Sequence, residues 1–93
     1  MQQLIKDQTQ PWISKFARLS KNMDIGPGCC IYQKAVLEKN VFLGKGVQVG
    51  MGARILEGTT VPSGAIIAPY QKIGPNYDWN AHTQWNLTAI WVN

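Results

Sequence analysis

The sequence has few charged residues and no long apolar stretch, and both shortages exclude classes of protein. Charged residues make up 15% of the 93 positions, and like charges never form a run. Nucleic-acid-binding proteins usually carry a denser basic stripe, so a nucleic-acid partner is not expected. No apolar stretch approaches the roughly 18 residues of a membrane span, so no membrane partner is expected either. Residues 1–93 are expected to form one small globular domain, and its small core favours self-association.

Cysteine and histidine are also scarce. Cys29 and Cys30 are the only cysteines, and adjacent cysteines form a poor disulfide because their side chains diverge. Two thiols are too few for a zinc site, so no metal is expected. The sequence begins without the apolar core of a secretory signal, which together with the free thiols favours a cytoplasmic location. His82 is the only histidine, and we expect it to be a surface or packing residue.

A six-residue repeat dominates the rest of the chain. Isoleucine, leucine or valine occupies every sixth position from Ile25 to Ile73, nine times without interruption. Neither the helical period of 3.6 nor strand alternation alone demands this spacing. Three positions after each of these residues comes a turn slot rich in glycine and asparagine, which tolerate a positive φ. The nine turn slots are Gly28, Lys34, Asn40, Gly46, Gly52, Gly58, Gly64, Tyr70 and Asn76.

The repeat predicts a coil of short strands. Each six-residue unit contains a strand and a corner, with the aliphatic residue and the small residue two positions before it pointing inward. Three such units close a triangular coil, and successive coils stack through parallel hydrogen bonding. The glycines are therefore corners and not a phosphate-binding loop, which would need a buried strand before it and a helix after it.

Residues 25–74 resemble the hexapeptide-repeat, left-handed parallel β-helix superfamily. The segment ARILEGTTVPSGAIIAPYQKIG is similar to the closing coils of many members, among them acyltransferases, γ-type carbonic anhydrases and the small pointed-end subunits of dynactin. The resemblance implies a mainly β fold, a short left-handed parallel β-helix of about three coils. The left hand comes from the resemblance, since general rules for β-crossovers would predict a right-handed coil. A fold shared by so many proteins leaves the function open.

The N-terminal residues 1–24 are expected to cap the β-helix. Pro11 suits the first position of a helix, and Trp12, Phe16 and Leu19 follow at helical spacing. We therefore predict a short amphipathic capping helix. The alternative is a further coil, because the phase of six is also continued by Ile13, Ala17, Leu19 and Met23.

The C-terminal residues follow the predicted β-helix of residues 25–78. Residues 79–93 are rich in tryptophan and β-branched residues, which predicts one tail strand. Trp79, Trp85 and Trp91 exceed what a solvated tail tolerates. We expect them to be buried over the open end of the coils or in a neighbouring subunit.

One wall of the predicted coil is free of formal charge. Three units per coil place outward positions eighteen residues apart on the same wall. An uncharged wall that carries tyrosine and isoleucine is typical of a subunit interface. The interface candidates on this wall are Cys30, Tyr32, Gln48, Gly50, Ile66 and Ala68, to which the tail adds Trp79, Trp85 and Trp91.

Two functions are compatible with these features. The first is a small non-enzymatic oligomer, an assembly or interaction module that needs no cofactor; the resemblance favours a homotrimer, which could also bind another protein. The alternative is a minimal acyltransferase that binds acetyl-CoA or another acyl-CoA at a subunit interface, with His82 as the base. Carbonic anhydrase activity is not expected, because the γ-type enzymes hold zinc with three histidines and this chain has one.

Overall fold

A computed structural model describes residues 10–85 of the chain as a stack of coils built from very short strands. Each of the eleven strands has two residues. They are β1 (Trp12–Ile13), β2 (Arg18–Leu19), β3 (Asp24–Ile25), β4 (Cys30–Ile31), β5 (Val36–Leu37), β6 (Phe42–Leu43), β7 (Gln48–Val49), β8 (Arg54–Ile55), β9 (Thr60–Val61), β10 (Ile66–Ile67) and β11 (Lys72–Ile73).

The strands form three parallel sheets in which every third strand is a neighbour. The orders are β1-β4-β7-β10, β2-β5-β8-β11 and β3-β6-β9. Paired residues are eighteen positions apart, so Ile13 lies beside Ile31, and Ile31 beside Val49. The chain is therefore a parallel β-solenoid with three complete coils and two strands of a fourth, as the six-residue repeat predicts.

The corners between strands lie at the predicted turn slots. Eight of the nine slots, the first being Gly28 and the last Tyr70, have a positive φ, which is 74° at Gly28 and 63° at Tyr70. Asn76, the ninth, does not, and Asn22 in the first coil adds a further corner of this kind with a φ of 57°. Residues other than glycine and asparagine rarely adopt a positive φ, so we attribute this conformation of Lys34 and Tyr70 to the stacking of the coils.

The core is a column of inward side chains that runs through the middle of the stack. From Cys29 to Ile67 both inward positions of every unit are buried, the aliphatic one and the small one before it. Ile73 is buried as well, whereas Ile25 at the start of the repeat is partly buried. Thr59 is the polar member of this core, and its hydroxyl donates a 2.7 Å hydrogen bond to the carbonyl of Leu56. The buried apolar residues are Cys29, Ile31, Ala35, Leu37, Val41, Leu43, Val47, Val49, Ala53, Ile55, Val61, Ala65, Ile67 and Ile73.

The predicted N-terminal capping helix is wrong, and a further coil takes its place. Residues 12–25 form β1, β2 and β3, and the amide of Trp12 donates to the carbonyl of Cys29 at 2.7 Å. Trp12 and Phe16 are 55% and 63% exposed. The residues whose spacing suggested the apolar side of a helix therefore point into solvent. A strand beside the next coil pairs backbone groups of that coil, which a capping helix would leave without partners.

The C-terminal segment after β11 crosses the end of the stack. Tyr77 and Trp79 are partly buried against the core, and residues Trp79–Ala81 form one turn of 3-10 helix. Trp79 thus covers the coil end, one of the two positions expected for it. The predicted tail strand falls mainly on residues 86–93, which lie outside the described residues. None of the helical turns within residues 10–85 has the length and apolar character required to cross a membrane.

Candidate functional site

The uncharged face is the outer surface of the sheet β1-β4-β7-β10. Strand pairing places Trp12, Cys30, Gln48 and Ile66 in one column, each directly beside the next. The structure thus brings together the predicted interface candidates of this wall and adds Trp12, which was predicted to lie in a helix. The face comprises Trp12, Cys30, Tyr32, Gln48, Gly50, Ile66 and Ala68.

Aromatic contacts organise the first half of the uncharged face. The rings of Trp12 and Tyr32 lie 5.7 Å apart at 50°, and the Tyr32 hydroxyl donates to Oε1 of Gln48 at 3.3 Å. Burial raises the pKa of Tyr32, and the neighbouring Cys30 raises it further, so the hydroxyl stays a donor. Trp12, Tyr32 and Met51 line a shallow pocket of about 150 Å³. The phase of six could have found Trp12, since it directly precedes the inward Ile13.

The two cysteines point to opposite sides of the coil wall at the start of β4. Cys29 is buried in the core, and its thiol donates to the carbonyl of Gly44 at 3.0 Å. Burial is the main reason that the pKa of Cys29 is raised, so the thiol is neutral and poorly nucleophilic. Cys30 is partly exposed on the uncharged face, and both thiols are free.

The C-terminal tail closes the free edge of β10, next to the uncharged face. The side-chain amide of Gln84 accepts from the amide of Ile66 at 2.7 Å and donates to the carbonyl of Gly64 at 2.8 Å. The amide of Trp85 also donates to the carbonyl of Ile66, at 3.3 Å. Trp85, an interface candidate, is 37% exposed at this edge, while Trp91 lies outside the described residues.

His82 has partners on both ring nitrogens. Nε2 lies 3.0 Å from the carbonyl oxygen of Ile66 and Nδ1 lies 2.6 Å from the Tyr77 hydroxyl. A carbonyl can only accept, so Nε2 carries a proton, and in the neutral ring Nδ1 is left to accept from Tyr77. The Trp79 ring packs beside the imidazole with centroids 5.0 Å apart. This arrangement locks the tail onto the last coil and occupies the lone pair that a general base would use.

Sequence reasoning missed the partner of His82. Tyr77 lies after Ile73, the last aliphatic position of the repeat, and its hydroxyl is reached both by His82 and by the side-chain amide of Gln71, the latter at 3.3 Å. No spacing rule predicts contacts in an irregular tail. They depend on the path that the chain takes across the coil end.

The carboxylates of Glu38 and Asp78 have structural partners. Glu38 lies 3.3 Å from Nε of Arg54 and accepts from the amide of Glu57 at 3.0 Å. Asp78 accepts from the amide of Asn80 and caps the 3-10 turn. Across residues 10–85, histidine, cysteine and carboxylate side chains nowhere gather in a group of three that could hold a metal ion.

Comparison with known proteins adds no family. No protein-family model matches the sequence, and no significant match was found among the curated proteins or the solved structures. The geometry of the coils and their faces therefore carries the functional argument.

Proposed function

We propose that this chain is a small, non-enzymatic assembly module, a left-handed hexapeptide-repeat β-helix that forms a homotrimer in the cytoplasm. The uncharged face is the observation that carries this proposal. The left hand and the number three rest on the resemblance of the repeat to its superfamily. The two free thiols suit a reducing compartment.

The composition of the uncharged face favours contact with protein. It extends over all four coils without a charged side chain, and Trp12 at one end is 55% exposed. Tryptophan and tyrosine are enriched at the centres of interfaces, from which charged residues are depleted. A second copy of the chain is the simplest partner, because the domain is small and closed cyclic symmetry makes a finite assembly.

Light scattering on the native protein and two double variants tests this proposal. Tyr32→Lys with Ile66→Lys places like charges on the uncharged face and should reduce the mass to that of a monomer. The matched control is Phe42→Lys with Thr60→Lys, which adds the same charge to β6 and β9 on another sheet and should leave the mass unchanged. Unchanged circular dichroism would show that the coils persist. A monomeric native protein at micromolar concentration, or equal masses for both variants, would contradict the proposal.

An acyltransferase remains the second candidate because His82 borders a pocket. This pocket of about 240 Å³ is lined by His82, Trp79, Gln84 and the corner around Gly64. To act as a base, His82 would have to release the Tyr77 hydroxyl from Nδ1. Titration with acetyl-CoA, followed by melting temperature, separates the candidates, since a ligand that binds only the folded state raises the melting temperature. The module predicts no shift, whereas a shift lost in His82→Ala would support the enzyme.

A further inference from the structure

Positive charge collects on one side of the solenoid. Residues 10–85 contain eight lysines and arginines, and seven of them lie on the sheet β2-β5-β8-β11 or at the two corners that flank it. Glu38 and Glu57 are the only acidic residues in the same region, which leaves a formal excess of five positive charges. We call this surface the basic face; its cations are Lys15, Arg18, Lys21, Lys34, Lys39, Arg54 and Lys72.

The eighteen-residue coil creates this clustering from residues that are dispersed in the sequence. Arg18, Arg54 and Lys72 belong to one column of the sheet, in which Arg54 pairs directly with Lys72. Lys21 and Lys39 occupy the same corner in successive coils. Neighbouring coils are about 4.8 Å apart, so the cations form rows along the stack. In the sequence these cations are dispersed and form no run of charge. For this reason the sequence predicted no nucleic-acid partner.

The cations of the first two coils are available to an external anion. All seven residues are exposed, and the one ion pair formed within residues 10–85 joins Arg54 to Glu38. Arg18, Lys21, Lys34 and Lys39 therefore face solvent without a carboxylate partner in that part of the chain. Charges of one sign held on a rigid sheet attract a polyanion and repel one another in its absence.

Two exposed aromatic rings lie along one edge of the basic face, with a cation between them. The corner column between β1 and β2 runs through Phe16, Lys34, Gly52 and Tyr70, and both rings are strongly exposed, at 63% and 68%. The Tyr70 ring lies against Gly52, and Nζ of Lys15 lies 5.5 Å from the centre of the Phe16 ring. Aromatic rings beside a row of cations are the combination by which proteins hold single-stranded nucleic acids, through base stacking and phosphate contacts.

We infer that the basic face binds a single-stranded nucleic acid, with phosphates on the rows of cations and bases against Phe16 and Tyr70. A duplex would match only the charge, because its bases are already stacked. A membrane surface fits less well, since the apolar groups are confined to one edge and two carboxylates share the face. An acidic protein would match the charge but has no bases to stack on the exposed rings.

Fluorescence anisotropy with a labelled twelve-nucleotide thymidine oligomer tests this inference. With five phosphate contacts, affinity should fall on the order of 100-fold between 50 and 200 mM salt. Arg18→Gln with Lys34→Gln should lower the salt slope by about 1.4, since each single-strand contact contributes about 0.7. Lys45→Gln, which removes the one described cation outside the basic face, is the control and should change little.

The role of the aromatic edge has its own control. Phe16→Leu keeps an apolar side chain but removes the ring, and affinity should fall about tenfold. Phe42→Leu makes the same change at a 45% exposed ring on β6 and should have no effect. The inference is overturned if the oligomer does not bind at 50 mM salt, or if Lys45→Gln weakens binding as much as the basic-face variant. Equal binding of a duplex, of polyglutamate or of anionic phosphatidylserine vesicles would also overturn it.

Discussion

Leucines in neighbouring coils provide a sharp test of the solenoid core. Leu37 and Leu19 are paired residues of the same column, yet Leu37 is fully buried and Leu19 is 42% exposed at the first coil. Truncation to alanine removes about three carbon groups, worth about 2.4 kcal/mol when fully buried. For Leu37 the cavity left between two coils adds to this, so Leu37→Ala should cost about 3–4 kcal/mol.

The same truncation at Leu19 should cost much less. Scaling the transfer energy by its buried fraction gives about 1.4 kcal/mol, with no enclosed cavity to add. Urea denaturation measures both values, and with a slope of about 1 kcal/mol per molar the midpoints should differ by about 2 M. Total stability for a chain of this length is roughly 5–14 kcal/mol, so both variants should fold. Equal losses would refute the reasoning, because they would mean that the first coil is as well covered as the second.

Two further predictions concern a corner and a core thiol. Gly46→Val should cost about 1–2 kcal/mol, because φ of Gly46 is +64° although the space around it is open. Gly52→Val should cost more, because φ of Gly52 is +70° and the new side chain also meets the Tyr70 ring. Equal melting temperatures for the two variants would contradict the ring contact. Cys29, whose pKa is raised by burial above its ordinary value of 9.0, should resist alkylation in the native protein while Cys30 reacts. Since the unfolded state loses this proton first, the free energy of unfolding should fall as pH rises above about 9, and Cys29→Ala should reduce that fall.

The sequence could predict the coils because one period controls both packing and turns. Every sixth residue from Ile31 to Ile73 is buried, and the turn slots up to Tyr70 take a positive φ. The first coil was predicted as a helix because Trp12, Phe16 and Leu19 fit the helical spacing, while Ile13, Ala17, Leu19 and Met23 in the same segment fit the phase of six. Pairing with the next coil decided between them, and such pairing is a property of tertiary structure that spacing in a short segment does not contain.

The surfaces were only partly predictable. The outward positions of the strands were enough to find most of the uncharged face, because outward residues eighteen positions apart lie on the same wall. The basic face also needs the corner residues, such as Lys15 and Lys34, whose direction depends on how each corner turns. The contacts of Gln84 and His82 had no signal in the sequence, since the tail keeps the spacing of six only at its tryptophans and loses the corner and small positions of the repeat.

The side-chain amide of Gln84 closes the pairing edge of β10 at the end of the stack. A side-chain amide offers the same donor and acceptor as a peptide group, and Gln84 uses both on Gly64 and Ile66, at the edge where another coil would pair. Together with His82 and the amide of Trp85, which both reach the carbonyl of Ile66, Gln84 provides partners that a further coil would otherwise provide. The residues that close the last coil therefore lie outside the repeat, and they could close any coil with the same edge. A version of this protein lengthened by one coil would keep its end closed if residues 76–85 were moved as a block, and it would expose a pairing edge if they were not.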